Sequence, residues 1–170
     1  MKIIMKNYSI KKLNTGIKSK NFGKYLKKLN IKRNDHLIIH SSFKNISSYG
    51  FKPESLIEEI ENYLKDGTLI FPTFTYEESK KTKKFHYLKS KSCVGILTEI
   101  FRKKYINNRS FHPTHSLTAV GKNYSKIINF EDKNLFKSPC GKGTVWEYLI
   151  KKNTKILLMD TLIDSCTFVH

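Results

Sequence analysis

Apolar residues recur along the chain at two spacings, one helical and one typical of buried strands. Phe22, Tyr25, Leu26 and Leu29 fall at i, i+3, i+4 and i+7 within residues 20–29, which predicts a helix with one apolar stripe and a lysine face. His36-Leu37-Ile38-Ile39-His40 is a short apolar run between polar residues and predicts a buried strand. A second helix is expected from Pro53, a residue suited to a first turn, with Glu54, Glu58 and Glu59 towards its positive end. Leu56, Ile57, Ile60 and Leu64 form its inner face, and Asp66-Gly67 stops it. Thr68 to Phe71 predicts the next strand, ended by Pro72, which cannot donate to a ladder.

Beyond Pro72 the pattern changes. Ser79 to Ser92 is polar and lysine-rich and reads as a mobile surface loop. Helical spacing returns through Val94, Leu97, Ile100 and Phe101, up to Lys104. A strand over His115–Val120 closes at Gly121, and a short helix covers Asn123–Asn129. Thr144-Val145-Trp146-Glu147 has the spacing of a capping box opening a helix to about Ile150, with Trp146 in the core. Lys155 to Met159 is the last strand. Asp164 or Ser165 then resembles a cap, and Cys166–His170 the first turn of a helix. One turn buries little, so the chain reads as cut before its fold is complete.

Strands alternating with helices predict an α/β fold: three α/β/α layers around a mostly parallel central sheet, incomplete at the C-terminus. Residues 1–19 are expected to be a basic N-terminal extension, and residues 20–170 one domain. With 170 residues and 39% hydrophobic residues, the chain has enough material for a core, which excludes wholesale disorder. No apolar run is long enough to span a membrane, and the N-terminus lacks the apolar stretch of a signal peptide. A cytoplasmic location is the expectation. Cys93, Cys140 and Cys166 are an odd number without CxxC spacing. They suit neither a disulfide framework nor a zinc site, and each is read as a small buried hydrophobe.

The formal net charge of +18 raises the question of polyanionic partners. Residues 1–34 carry eleven Lys/Arg and no acid, and residues 80–91 add six Lys. Nucleic-acid readers lean on arginine forks, yet 29 of the 32 basic residues are lysine. A solvated lysine surface accounts for this composition, and its field would also favour a phosphate-bearing ligand. A basic nucleic-acid-binding module is the rival from a different function class.

Ligands of open α/β sheets gather beyond the carboxyl ends of strands. That rule collects His40, Ser41, Ser42 and Phe43, then Pro72, Thr73, Phe74 and Thr75, then Asp160 to His170. Arg109 to Ser116 adds a dense polar loop with His112 and His115. There is no GxSxG, HExxH or GxxxxGK[ST]. A metal site from His112 and His115 lacks further nearby ligands, and no metal is expected.

The order of the motifs resembles the aminoglycoside 3-N-acetyltransferases and their relatives in amino-sugar biosynthesis. The matching stretches begin with His40-Ser41-Ser42-Phe43 and Gly67-Thr68-Leu69-Ile70-Phe71-Pro72-Thr73. Gly95-Ile96-Leu97-Thr98-Glu99 with Phe101-Arg102 follow. Arg109-Ser110-x-His112-Pro113-x-x-Ser116, with Ala119 and Gly121 in step, is the most specific. Ser138-Pro139, Lys155-Ile156-Leu157-Leu158 and Thr167-x-x-His170 complete a match over roughly residues 36–170.

This resemblance implies an acetyl-CoA-dependent N-acetyltransferase acting on an aminoglycoside or related amino sugar. It implies that His40–Phe43 and Pro72-Thr73 hold the pantetheine arm and acetyl thioester. It also implies that His170 is the general base for the acceptor amine, the role an imidazole suits at neutral pH. Thr167 is a candidate donor to the thioester oxygen. Arg102 and Arg109 either meet CoA phosphate or pair within the protein, and His112 and His115 either contact the acceptor or brace their loop. Family members carry a glycine after the last apolar strand, where this chain has Asp160. They also continue past the closing histidine, so the resemblance implies a chain truncated at its C-terminus, either an excerpt of the enzyme or an inactive remnant.

Overall fold

A computed structural model describes residues 22–77, 81, 84–131 and 138–169. The expected N-terminal extension, residues 1–19, lies outside them. Four strands form one sheet in the order β3-β2-β1-β4. These are β1 (His36–Ser41), β2 (Thr68–Pro72), β3 (Leu117–Gly121) and β4 (Lys155–Met159). β1 pairs in parallel with both β2 and β4, while β3 runs antiparallel along the outer edge of β2.

Strand alternation sends side chains into two cores, as a sheet covered on both faces requires. Leu37, Ile39, Leu69, Phe71, Leu157 and Met159 pack on one face, against α1 (Phe22–Lys28), α3 (Pro53–Tyr63) and α4 (Ile96–Lys104). Ile38, Ile70, Ala119 and Ile156 pack on the other, against α5 (Tyr124–Ile128) and α6 (Val145–Lys151). Trp146 on α6 is buried there, edge-on to Phe74 and Phe168. The three layers are those the hydrophobic pattern predicted.

The differences are local. A short helix α2 (Phe43–Ile46) and a 3-10 turn (Ser47–Tyr49) follow β1, where the sequence showed only a turn. The chain closes with two 3-10 turns, Ile163–Ser165 and Thr167–Val169, in place of a first α-turn. The expected capping box at α6 is rearranged. Thr144 Oγ1 donates to the Gly141 carbonyl instead of accepting from the helix, and Glu147 reaches the Gly143 N–H at 2.9 Å. Both side chains therefore tighten the turn before the helix. Residues 84–92, read as a mobile loop, are tied down. Arg102 donates to the Leu88 carbonyl, Glu99 accepts from Ser92 N–H, and Ser90 is buried.

Candidate active site

β1, β2 and β4 are parallel, so Ser41, Pro72 and Met159 end at one edge of the sheet. β3 runs the other way and therefore begins at that edge, where Leu117 pairs with Pro72 and brings His115 alongside. A cavity of about 690 Å³ opens there. His40 and Ser41 line it from β1, and Pro72, Phe74 and Tyr76 from the end of β2 and beyond. Val94 and Thr98 enter from the start of α4, Ser138, Pro139 and Cys140 from before α6. Thr161, Asp164, Ser165 and Thr167 close it after β4.

His40 is buried in this wall, with 7% of its surface exposed. Burial pushes its pKa down to about 4, against the opposing effect of a hydrogen bond to the Ser165 backbone. Its imidazole is therefore neutral at pH 7. Its Nε2 is buried without a protein partner, as is the neighbouring Ser41 Oγ. His115 stacks on Phe74 with ring centroids 4.6 Å apart, and burial lowers its pKa as well. Its Nδ1 lies 2.8 Å from Thr114 Oγ1. Burial pushes the Tyr76 phenol up, which keeps that wall uncharged.

Asp160 follows β4 with φ 53°, a left-handed conformation that glycine adopts at no steric cost. The glycine expected in relatives at this position thus has a backbone reason. Asp160 meets the same requirement with a short polar side chain, and its Oδ2 is buried without a partner.

Behind the cavity wall lies a second polar cluster. Arg109 is 1% exposed, and its fork joins three segments. Nη1 donates to the carbonyls of Tyr87 (3.0 Å) and Ser90 (2.7 Å), Nη2 to that of Thr73 (2.8 Å), and Nε to Ser116 Oγ (2.9 Å). Phe85 stacks near the same guanidinium, 5.2 Å from Cζ to ring centroid. Thr73 N–H donates to the Ser116 carbonyl, and Thr75 N–H to that of Thr114, so residues 114–116 run against the exit of β2. His112 braces the same loop: its Nδ1 accepts from the N–H groups of His115 and Thr114. Arg102, the other candidate for phosphate, makes a two-point pair with Glu99, at 2.8 Å for each contact.

Of the residues singled out from sequence, His40, Ser41, Pro72, His115 and Thr167 therefore share one cavity. Thr73, Arg109 and His112 are buried one layer behind it. Ser42 ties β1 to β4 through its N–H to the Met159 carbonyl, and Phe43 packs on the core below. His170 lies outside the described residues. Thr161, Asp164 and Ser165, within the Asp160–His170 stretch collected from the end of the last strand, also line the cavity. Tyr76 and Cys140 also line it, although nothing in their spacing marked them; of the three cysteines read as buried hydrophobes, Cys166 is buried, while Cys93 and Cys140 are partly buried and pack against the core. Among the described residues no three His, Cys, Asp or Glu side chains group as metal ligands, and no helix is long and apolar enough to cross a membrane.

The family profile of aminoglycoside 3-N-acetyltransferase matches residues 38–170. This chain belongs to that family. Among its relatives is the SPbeta prophage-derived aminoglycoside N(3')-acetyltransferase-like protein YokD of Bacillus subtilis (strain 168). It is 25% identical, with the match covering 85% of this chain and 60% of YokD. The fold is shared with the aminoglycoside acetyltransferase AAC(3)-IVa apoenzyme, at TM-score 0.76 and 23% identity over 90% of this chain and 57% of that one. It is shared too with AAC-IIIb in its binary complex with CoASH, at TM-score 0.65 and 18% identity over 82% of this chain and 58% of that one. This acetyltransferase-family chain thus spans about 60% of the length of the relatives it matches.

Proposed function

We propose that this protein is an acetyl-CoA-dependent N-acetyltransferase whose acceptor is an amino group of an aminoglycoside or related amino sugar. The observation that carries this reading is the cavity at the carboxyl edge of the sheet. Three stretches far apart in sequence, at His40-Ser41, Pro72 and Thr167, converge on it.

The residues of this wall suit a neutral arm carrying a thioester. Among the described residues that line the cavity none is Lys or Arg, which suits the uncharged part of the ligand better than its phosphates. Ser41 Oγ and His40 Nε2 are buried polar atoms without protein partners, and such groups are costly unless a ligand or water satisfies them. Pantetheine offers amide groups of the matching kind. Acetyl-CoA supplies an activated acyl group. The chain must then hold the acceptor nitrogen against the thioester carbon and take up its proton as the N–C bond forms and the C–S bond breaks. His170 is assigned the proton, because an ammonium has no lone pair with which to attack. Thr167, three residues before His170, is assigned to the thioester oxygen through its hydroxyl.

The test combines a ligand-induced thermal shift with a thiol-release assay. Acetyl-CoA should raise the melting temperature, and CoA release should depend on an added aminoglycoside such as sisomicin or apramycin. Absence of acetyl-CoA stabilisation together with absence of acceptor-dependent release rejects the reading.

A further inference from the structure

We propose that the aromatic patch of Phe111, Tyr87 and Phe85, at the tip of the hairpin leading into β3, is the platform on which the adenine ring of acetyl-CoA stacks. The inference rests on the acetyltransferase reading and extends it from the arm in the cavity to the nucleotide end of the same ligand.

Backbone pairing places the patch. Arg109 bridges antiparallel to Thr118, and Ser110 N–H donates to the Leu117 carbonyl at 2.7 Å. Residues 111–116 are therefore the turn of a hairpin. Because β3 begins at the carboxyl edge of the sheet, this turn projects beyond that edge. It carries two rings in different settings. His115 lines the cavity, whereas Phe111, earlier in the same turn, is 66% exposed. The stretch between them spans at most about 14 Å, within the reach of the extended arm and diphosphate of CoA.

The rings form a fixed stack. Phe111 lies 6.4 Å from Tyr87, with the ring planes 29° apart, and 6.1 Å from Phe85 in an edge contact. The Tyr87 hydroxyl donates to the Arg109 carbonyl, and the Tyr87 carbonyl accepts from Arg109 Nη1, so the platform is tied to the buried guanidinium. A planar ligand settling on rings already ordered in this way incurs little ordering cost.

Charge selects a nucleotide over a neutral ring. Neither residues 79–92 nor residues 100–130, the stretches that supply the three rings, contain an Asp or Glu. Lys84 and Lys89 flank Phe85 and Tyr87 in sequence, and both are exposed, as is Lys91. Ammonium groups this near to the rings act within a Debye length and favour the phosphates that adjoin the adenosine of CoA.

The experiment is calorimetric binding of acetyl-CoA, ADP and acetyl-pantetheine to the whole chain. Phe111→Ala should weaken acetyl-CoA and ADP about tenfold, the scale of one base stacked on an aromatic ring. Phe111→Trp should keep both. Acetyl-pantetheine, which carries the thioester without a nucleotide, should bind wild type and Phe111→Ala equally, which also reports that the variant is folded. Lys89→Gln should reduce the salt dependence of ADP binding. Unchanged acetyl-CoA affinity in Phe111→Ala overturns the proposal, as does equal affinity of wild type for acetyl-CoA and acetyl-pantetheine. Self-association that Phe111→Ala abolishes while ADP binding stays unchanged assigns the patch to a second copy of this chain and overturns it too. Failure of wild type to bind both acetyl-CoA and acetyl-pantetheine, with ADP still held through Phe111, rejects the acetyltransferase reading and leaves the nucleotide platform standing.

Discussion

Arg109 Nη2 donates to the carbonyl oxygen of Thr73, 36 positions earlier, at 2.8 Å. That single bond joins the polar loop before β3 to the segment leaving β2. The other donors of the same fork add residues 87–90 and Ser116, so the exit of β2, residues 87–90 and the loop before β3 are held in one geometry. A planar guanidinium does this because its N–H groups diverge in fixed directions.

Arg109→Met leaves the carbonyls of Thr73, Tyr87 and Ser90 without that donor in a buried setting. It should cost at least about 3 kcal/mol, read as a lower urea midpoint. Arg109→Lys keeps the charge but cannot fork and should lose about 2 kcal/mol. A lysine variant as stable as wild type would show that charge, and not the three-way geometry, is what the site needs.

Stability should fall on acidification through the histidines. Folded His40 has its pKa lowered to about 4 from 6.5, so between those values the unfolded chain binds more protons than the folded one. Its contribution is complete above pH 6.5, declines as pH falls towards 4, and amounts to about 3 kcal/mol over that window. His36 and His115 are lowered in the same direction. Denaturation midpoints for His40→Asn should depend less on pH between 7 and 5 than those of wild type. An unchanged slope would contradict the burial argument.

Asp160→Gly should stabilise the fold by about 0.5–1 kcal/mol. It relieves a left-handed backbone at a non-glycine residue and removes a buried carboxylate oxygen that lacks a partner. Thermal melts give the sign directly. Destabilisation would mean that the carboxylate has a stabilising partner outweighing both terms.

Ser41→Ala and His170→Ala should separate binding from chemistry. Loss of the Ser41 hydroxyl should weaken acetyl-CoA binding about fivefold, as expected for one neutral hydrogen bond. Loss of the His170 imidazole should cut acceptor-dependent turnover by about a hundredfold or more, with acetyl-CoA affinity nearly intact. Calorimetry and the thiol-release assay measure the two effects, and equal losses of both in His170→Ala would remove its role as base.

The strands and the larger helices were legible because they follow short-range rules. Leu37 to Ile39, Thr68 to Phe71 and Lys155 to Met159 are apolar runs of strand length, and the Pro53–Tyr63 helix has both a start signal and an inner face. The gathering of His40, Ser41, Pro72 and Thr167 at one end of the sheet was legible too, since it follows from strands being parallel. The capping at α6 was not. Glu147 and Thr144 had the right spacing, but Gly143 and Gly141 offered better-placed partners that only the folded turn presents.

What the sequence determined by itself is therefore the layered α/β architecture and the set of segments that meet at one end of the sheet. Periodicity and turn chemistry act over a few residues and leave a direct trace in the chain. The tertiary structure alone decided which side of the wall each polar residue occupies: Arg109 and His112 behind it, His40 and Asp164 facing it. It also decided that β3 runs antiparallel and so delivers His115 to the carboxyl edge. Side-chain burial and pKa arise from neighbours far apart in sequence, where no local pattern encodes them.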